Sequence, residues 1–287
     1  METPASHILT LACPDRVGLV AHLAKLMERH ACFISNSRTF SDVETGHFFA
    51  RLVFAATAGD ALPQGVMEEM AQAGDELSAD WAIHSSATKM RTLLMVSKSD
   101  HCANTLLYAA RRGELPIDVV GFVSNHDALK ERFSHWNLPW FTVPVSADTK
   151  PAAEARLYEI IKETDAELTV LARYMQILSN DACRKLSGQC INIHHSFLPS
   201  FKGARPYHQA HARGVKVIGA TAHYVTADLD EGPIISQAVE AVDHTFSPAD
   251  LVSTGRHLEG AAVLRAVKAH SEHRTFIHDG RTVVFAR

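Results

Sequence analysis

The chain has 287 residues, 46% hydrophobic and 21% charged, with a formal net charge of -4 and a pI near 6.5. That composition belongs to a folded soluble protein of one large or two modest domains, and without a Lys/Arg run it excludes a nucleic-acid footprint. The longest apolar stretches are strand-sized, short of the roughly 20 residues a membrane span needs.

Residues 1–7 lack the basic start and apolar core of a signal peptide. Five scattered cysteines, Cys13, Cys32, Cys102, Cys183 and Cys190, form no CxxC pair. They read as small buried hydrophobes in a reducing compartment, so a cytoplasmic location is expected.

From His7, "HILTLAC" alternates as a strand, and "PDRVGLVAHLAKLMERHA" carries Val17, Val20, Leu23, Ala24 and Met27 at helical spacing. Two strands follow, "CFISNSRTFSD" and "HFFARLVFAA", around a turn at Glu44-Thr45-Gly46. A helix over Leu62 to Ala73 and the strand "DWAIHSS" complete a ferredoxin-like βαββαβ domain, with an antiparallel sheet and helices on one face. The small, polar "SSATKM" marks the linker, giving domains at 1–86 and 87–287.

Beyond it, strands and helices alternate. The strands are "RTLLMVS", "IDVVGFVSN", "WFTVPV", "LTVLARYM" and "CINIHH", and the helices between them are "CANTLLYAARRG", "DALKERFSHW", "PAAEARLYEIIKET" and a short one near "SNDACRKL". This predicts an α/β, doubly wound, mostly parallel sheet with helices on both faces. Two more strands, "VIGATAHYV" and "PIISQAVEA", precede a helix from Pro248 to about Ala269 and a hairpin turning at Asp279-Gly280. Ligands in such sheets collect at the strand carboxyl ends. The first βα turn, "SKSDHCAN", has no glycine, so nucleotide phosphates lack a cradle.

One strand ends in "INIHHSF". Asn192 and His194 alternate onto one face and offer a fixed NH2 donor beside a titratable base, which suits attack on a carbonyl. The competing reading is a polar strand end satisfied by loop backbone. "TAHYVTADLDEGPIISQ" places His223 on a strand and Asp228, Asp230 and Glu231 in the loop after it. A carboxylate there can hold an imidazole's orientation if the two strands are neighbours. Alone, that loop also reads as an acidic turn.

"INIHHSFLPSFKGARPYHQA" followed by "GATAHYVTADLDEGPIISQ" resembles the folate-dependent formyltransferase family over about residues 90–287. The resemblance implies a catalytic trio at Asn192, His194 and Asp230, with His223 behind it. "LARYMQILS" is similar to the family's pterin-binding strand, which implies that Met175, Gln176 and Leu178 line the pocket with the 225–230 loop, Val225 and Asp228 among it. His195 is expected to point off the Asn/His face in a supporting role. Lys202, Arg205 and His208 face two readings, steering of a folate's anionic tail or a solvated loop, with Arg205 the best placed.

His195 and the small N-terminal domain resemble the family's deformylase branch, which implies hydrolysis of 10-formyltetrahydrofolate in one-carbon metabolism and purine biosynthesis. Where relatives that formylate a phosphorylated amine carry a glycine loop, this chain has Ser97-Lys98-Ser99-Asp100, so water is the expected acceptor. Transfer of the formyl group to an amine, or an amino-acid sensor with an inactive enzyme domain, are the alternatives. No metal and no cofactor are expected, since His208 and His211 have no further ligand at suitable spacing.

"CPDRVGLVAHLAKLMERHACFI" is similar to an ACT domain, which implies a regulatory role, and the resemblance to the deformylase branch implies glycine or methionine as effector. Asp15 and Gly18 would receive the amino acid, or Asp15 would simply cap the helix. Pairing of exposed sheet edges makes a homodimer or homotetramer the expected assembly.

Overall fold

The structure, a computed structural model, describes residues 6–57, 59, 61–198 and 206–286. In chain order the first elements are β1 (His7–Pro14), α1 (Leu19–Arg29), β2 (Cys32–Asp42), β3 (His47–Ala56), α2 (Gln64–Leu77) and β4 (Asp80–Ser85). They form a four-stranded sheet in the order β2-β3-β1-β4 with every pair antiparallel. Alternate residues of β1 and β3, Leu9, Leu11, Phe48, Ala50, Leu52 and Phe54, pack with α1 and α2 into one core, so both helices cover the same face.

The stripe of α1 differs from the expected one. Leu19, Leu23, Leu26 and Met27 are buried, while Val17 and Val20 are exposed. Gly18, at φ +95°, is the residue that opens the helix, so Val17 precedes it and Leu19 starts the apolar face. Asp15 is therefore not the cap. Its backbone N–H donates to Gly46 O at 2.8 Å.

The second series runs β5 (Met90–Val96), α3 (His101–Arg111), β6 (Ile117–Ser124), α4 (Lys130–Phe133), β7 (Trp140–Thr142), α5 (Lys150–Glu163) and β8 (Leu168–Leu171). It continues with α6 (Asn180–Lys185), β9 (Cys190–His194), α7 (Pro206–Ala212), β10 (Val217–Tyr224), β11 (Ile234–Ala241) and α8 (Pro248–Ser271). A hairpin, β12 (Thr275–His278) and β13 (Arg281–Val284), turns at Asp279-Gly280, both at positive φ as a two-residue turn requires.

The large sheet has the order β11-β10-β9-β8-β5-β6-β7. Strands β7, β6, β5, β8 and β9 run parallel, and β10 is antiparallel to both β9 and β11. Along β5, Leu94 and Val96 enter the core shared with α3 and α8, while Leu93 and Met95 enter the core shared with α5 and α6. A strand buried on both faces needs helices on both sides, which is the doubly wound arrangement.

Three boundaries depart from the sequence reading. The strand read as "LTVLARYM" stops at Leu171, because Arg173 turns the chain at φ +66°. The helix over "DALKERFSHW" shrinks to α4 and one 3-10 turn at Ser134–Trp136. The chain divides into two units at Lys89/Met90 rather than 86/87, and the first unit also takes in Glu272–Phe276 and the residues from Phe285. The tail is held there by Arg51 of β3, whose guanidinium donates to the carbonyls of Glu272 and His273 at 2.9–3.1 Å.

Candidate active site

The site grows from the alternation of β9. Ile191 and Ile193 enter the α3/α8 core, which turns Asn192 and His194 to the opposite face. Strand β10 lies alongside, with His223 opposite Asn192 and Thr221 opposite His194. Directly opposed residues share a face, so the register brings His223 beside the Asn/His pair.

The loop after β10 supplies the carboxylate. It folds back tightly: Tyr224 N–H donates to Pro233 O at 2.9 Å, and a Cβ on Gly232 would lie 1.8 Å from Tyr224 O. Only glycine permits that approach. Asp230, at φ +58°, is left facing both imidazoles. Its Oδ2 is 3.1 Å from His194 Nδ1 and its Oδ1 3.8 Å from His223 Nε2. Burial raises the Asp230 pKa, but the His194 hydrogen bond outweighs it and holds the carboxyl well below the usual range.

Tautomers follow from the remaining contacts. His223 Nδ1 donates to Tyr224 O at 2.9 Å, so in the neutral ring Nε2 accepts from the Asn192 amide at 3.2 Å. One amide hydrogen of Asn192 is thereby fixed and the other is left for a ligand. His194, with Nδ1 on Asp230, keeps a buried Nε2 with no hydrogen-bond partner among the described residues.

These groups line a cleft of about 630 Å³. Met175, Gln176, Leu178, Val225 and Asp228, all expected in the pocket, line it too. Ser97 holds the Met175 turn: its hydroxyl accepts from Met175 N–H at 3.0 Å and donates to Asn125 Oδ1 at 2.6 Å. Met175, Ile177 and Leu229 expose 55–60% of their surface around the cleft, an apolar rim suited to a flat ring.

His195 does not point away as a regular strand would require. Strand β9 ends at His194, and His195 joins the lining with its ring centroid 5.0 Å from that of His194. Burial, then Arg173, pulls its pKa down to about 4. Arg205 and Lys202 lie outside the described residues, and His208 lines the cleft.

The sequence reading missed Arg173, Ile177, Leu229, and the group His101, Tyr207 and Glu259. A signal existed for the last: Glu259 interrupts the apolar stripe of α8, four residues after Gly255 and four before Val263, all buried. Among the described residues, His101, Cys102 and Glu259 are the one group whose metal-type ligand atoms lie within 4.8 Å of one another. The carboxylate already meets His101, Arg173 and Tyr207, and burial keeps the Cys102 thiol protonated, so the donor set suits an ion-pair cluster better than a cation.

Residues 90–267 match the family model described as formyl transferase. The chain is 46% identical over 284 residues to formyltetrahydrofolate deformylase from Corynebacterium sp. (strain P-1), covering 99% of each. It is similar to the crystal structure of formyltetrahydrofolate deformylase from Burkholderia mallei ATCC 23344, with 47% identity and a TM-score of 0.94 over 99% of this chain and 100% of that one. It is also similar to glycinamide ribonucleotide transformylase 1 from Symbiobacterium toebii, with 28% identity and a TM-score of 0.66 over 71% of this chain and 97% of that one.

Proposed function

The chain belongs to the formyl transferase family, among its formyltetrahydrofolate deformylases, and on that premise we propose that the cleft hydrolyses 10-formyltetrahydrofolate to formate and tetrahydrofolate. The observation that carries the mechanism is the His194–Asp230 contact. With Nδ1 committed to an ionised carboxylate, Nε2 is the nitrogen left for proton transfer.

Water attacks the formyl carbon as His194 Nε2 takes one of its protons. Negative charge developing on the formyl oxygen meets the second amide hydrogen of Asn192, whose first is already held by His223. A donor fixed in advance reorganises little as the charge forms. The imidazolium is stabilised by Asp230. As the carbon–N10 bond breaks, Nε2 returns the proton to N10, and formic acid leaves and ionises. Nucleophile activation, oxyanion binding and leaving-group protonation are thus all met by side chains, so the mechanism calls for no metal or cofactor. The folate is the substrate.

In this reading Leu178, Val225 and the exposed Met175 hold the pterin, Gln176 and Asp228 offer polar groups to its edge, and Arg205 steers the glutamate tail. The test is formate release from 10-formyltetrahydrofolate with no amine present. Release only on adding an amine would remove the hydrolase reading.

The small unit is proposed to be an ACT-like module. Its order β2-β3-β1-β4 with both helices on one face supports that reading. Strand β2 is an edge that exposes Phe33 and Phe40, which supports pairing into a homodimer or homotetramer. Gly18 opens α1 with no side-chain cap, so the helix's first N–H groups and the exposed Asp15 are proposed to receive glycine or methionine. The five buried free thiols support a cytoplasmic location. Among the described residues, no helix is long and apolar enough to cross a membrane.

A further inference from the structure

Glu259 is 2% exposed, in the middle of α8, yet three elements bring polar or charged groups to it. His101 Nε2, from the start of α3, lies 2.7 Å from Oε2. Arg173 Nε, from the turn after β8, lies 3.3 Å from the same oxygen. The Tyr207 hydroxyl, from α7, donates to Oε1 at 3.0 Å. Burial raises the Glu259 pKa, but His101, Arg173 and Tyr207 outweigh it and keep the carboxyl ionised.

The cluster is accommodated at the expense of packing. A Cβ on Gly255 would lie 2.1 Å from the Tyr207 ring, so that ring fits only over glycine. Arg173 holds a left-handed backbone that a side chain disfavours. Buried ion pairs stabilise a fold poorly compared with apolar packing of the same volume. All four residues line the catalytic cleft, and His195 connects them to the trio, its ring 5.0 Å from His194 and 6.4 Å from Tyr207.

A primary amine entering beside His194 is an ammonium at neutral pH. It needs an anion to hold it and a base to take its proton before its nitrogen can attack. Glu259 is suited to both tasks, but His101 and Tyr207 occupy its oxygens and Arg173 cancels its charge. Water needs neither an anion nor that volume. The similarity to a transformylase indicates that the fold itself does not dictate the acceptor. We infer that the Glu259–His101–Arg173–Tyr207 cluster is the acceptor gate of this enzyme, filling the space and masking the carboxylate that an amine would use. The inference rests on the hydrolase reading above.

The test replaces His101, Tyr207 and Arg173 by Ala, singly and together, and supplies 10-formyltetrahydrofolate with glycinamide as the amine. Formate and N-formylglycinamide are quantified. In transfer, the amine nitrogen bonds to the formyl carbon, the carbon–N10 bond breaks, and the amine proton goes to N10. Wild type should give formate alone at every glycinamide concentration. The opened variants should give N-formylglycinamide, its fraction rising on the order of 10-fold or more above background, the size of effect a reshaped pocket supplies. Adding Glu259→Gln to an opened variant should abolish that gain, because the amide neither holds the ammonium nor takes its proton.

Folded, hydrolysing variants that still yield only formate would overturn the gate, as would wild type that formylates glycinamide. Loss of all turnover in each variant would overturn it by placing the cluster in the catalytic machinery. His101, at a helix start with 20% of its side chain exposed, is the milder change should Tyr207→Ala not fold. If wild type releases no formate, the hydrolase reading itself fails, an outcome separable from every variant comparison.

Discussion

Gly232→Ala alters no group that touches substrate, yet it should disable the site. The new Cβ would lie 1.8 Å from Tyr224 O and 3.1 Å from His223 Nδ1, and contacts below 3.0 Å are essentially never seen. The obstacle is backbone, paired to its neighbour through Tyr224 N–H and Pro233 O, so it has little freedom to retreat. The loop must open by more than about 1 Å, and Asp230, two residues away, moves with it. A misplacement of about 1 Å at a catalytic group costs roughly 10²-fold in rate. The assay is kcat for formate release, with circular dichroism to confirm the fold. Because the loss acts through Asp230, Asp230→Ala in the same chain should add little to it. Wild-type kcat in Gly232→Ala, or multiplicative losses in the double variant, would refute the reasoning.

Asn192→Ala, His194→Ala and Asp230→Ala should each fold and lose at least about 10²-fold in kcat, the contribution of one oxyanion donor or acid–base group; near-normal turnover removes that residue from the mechanism. His195 and His270 are both held neutral, with pKa values pulled from 6.5 to about 4 chiefly by burial. Between those values the unfolded chain binds more protons, so stability is full above pH 6.5 and falls as pH drops towards 4, by about 3 kcal/mol for each ring. Denaturant melts of His195→Asn should show a shallower acid slope than wild type, and an unchanged slope contradicts the assignment. Activity should survive exhaustive chelation, whereas loss restored by zinc would turn His101, Cys102 and Glu259 into a metal centre. Gly18→Asp, strained at φ +95° and carrying a new charge although its side chain meets open space, should abolish any response to glycine or methionine.

The parts of the fold legible in sequence were those fixed by local periodicity. The βαββαβ order, the alternation of the second series and the Asp279-Gly280 hairpin all follow from spacing of two or 3.6 and from turn residues. The pairing of Asn192 with His194 was legible because alternation puts both on one strand face. Asp230 came only from the family resemblance, since the register that sets β10 beside β9 is written in no local pattern. What remained hidden depends on backbone conformation or distant partners. Arg173 ends β8 by adopting positive φ, which no pattern in "LTVLARYM" announces. His195 enters the cleft because β9 stops one residue earlier than alternation suggests. The return of residues 272–276 to the small unit rests on Arg51, more than two hundred positions away in the chain. Glu259 could have been found, since an acidic residue in a buried helical stripe requires partners, but its partners lie in three separate elements.

The central claim is that water attacks the formyl carbon, and heavy-oxygen water tests it most directly. Turnover of 10-formyltetrahydrofolate in labelled water, with no amine present, should give formate carrying one labelled oxygen and an equal amount of tetrahydrofolate. Tetrahydrofolate formed without labelled formate would contradict the account, since the formyl group would then have left to something other than water.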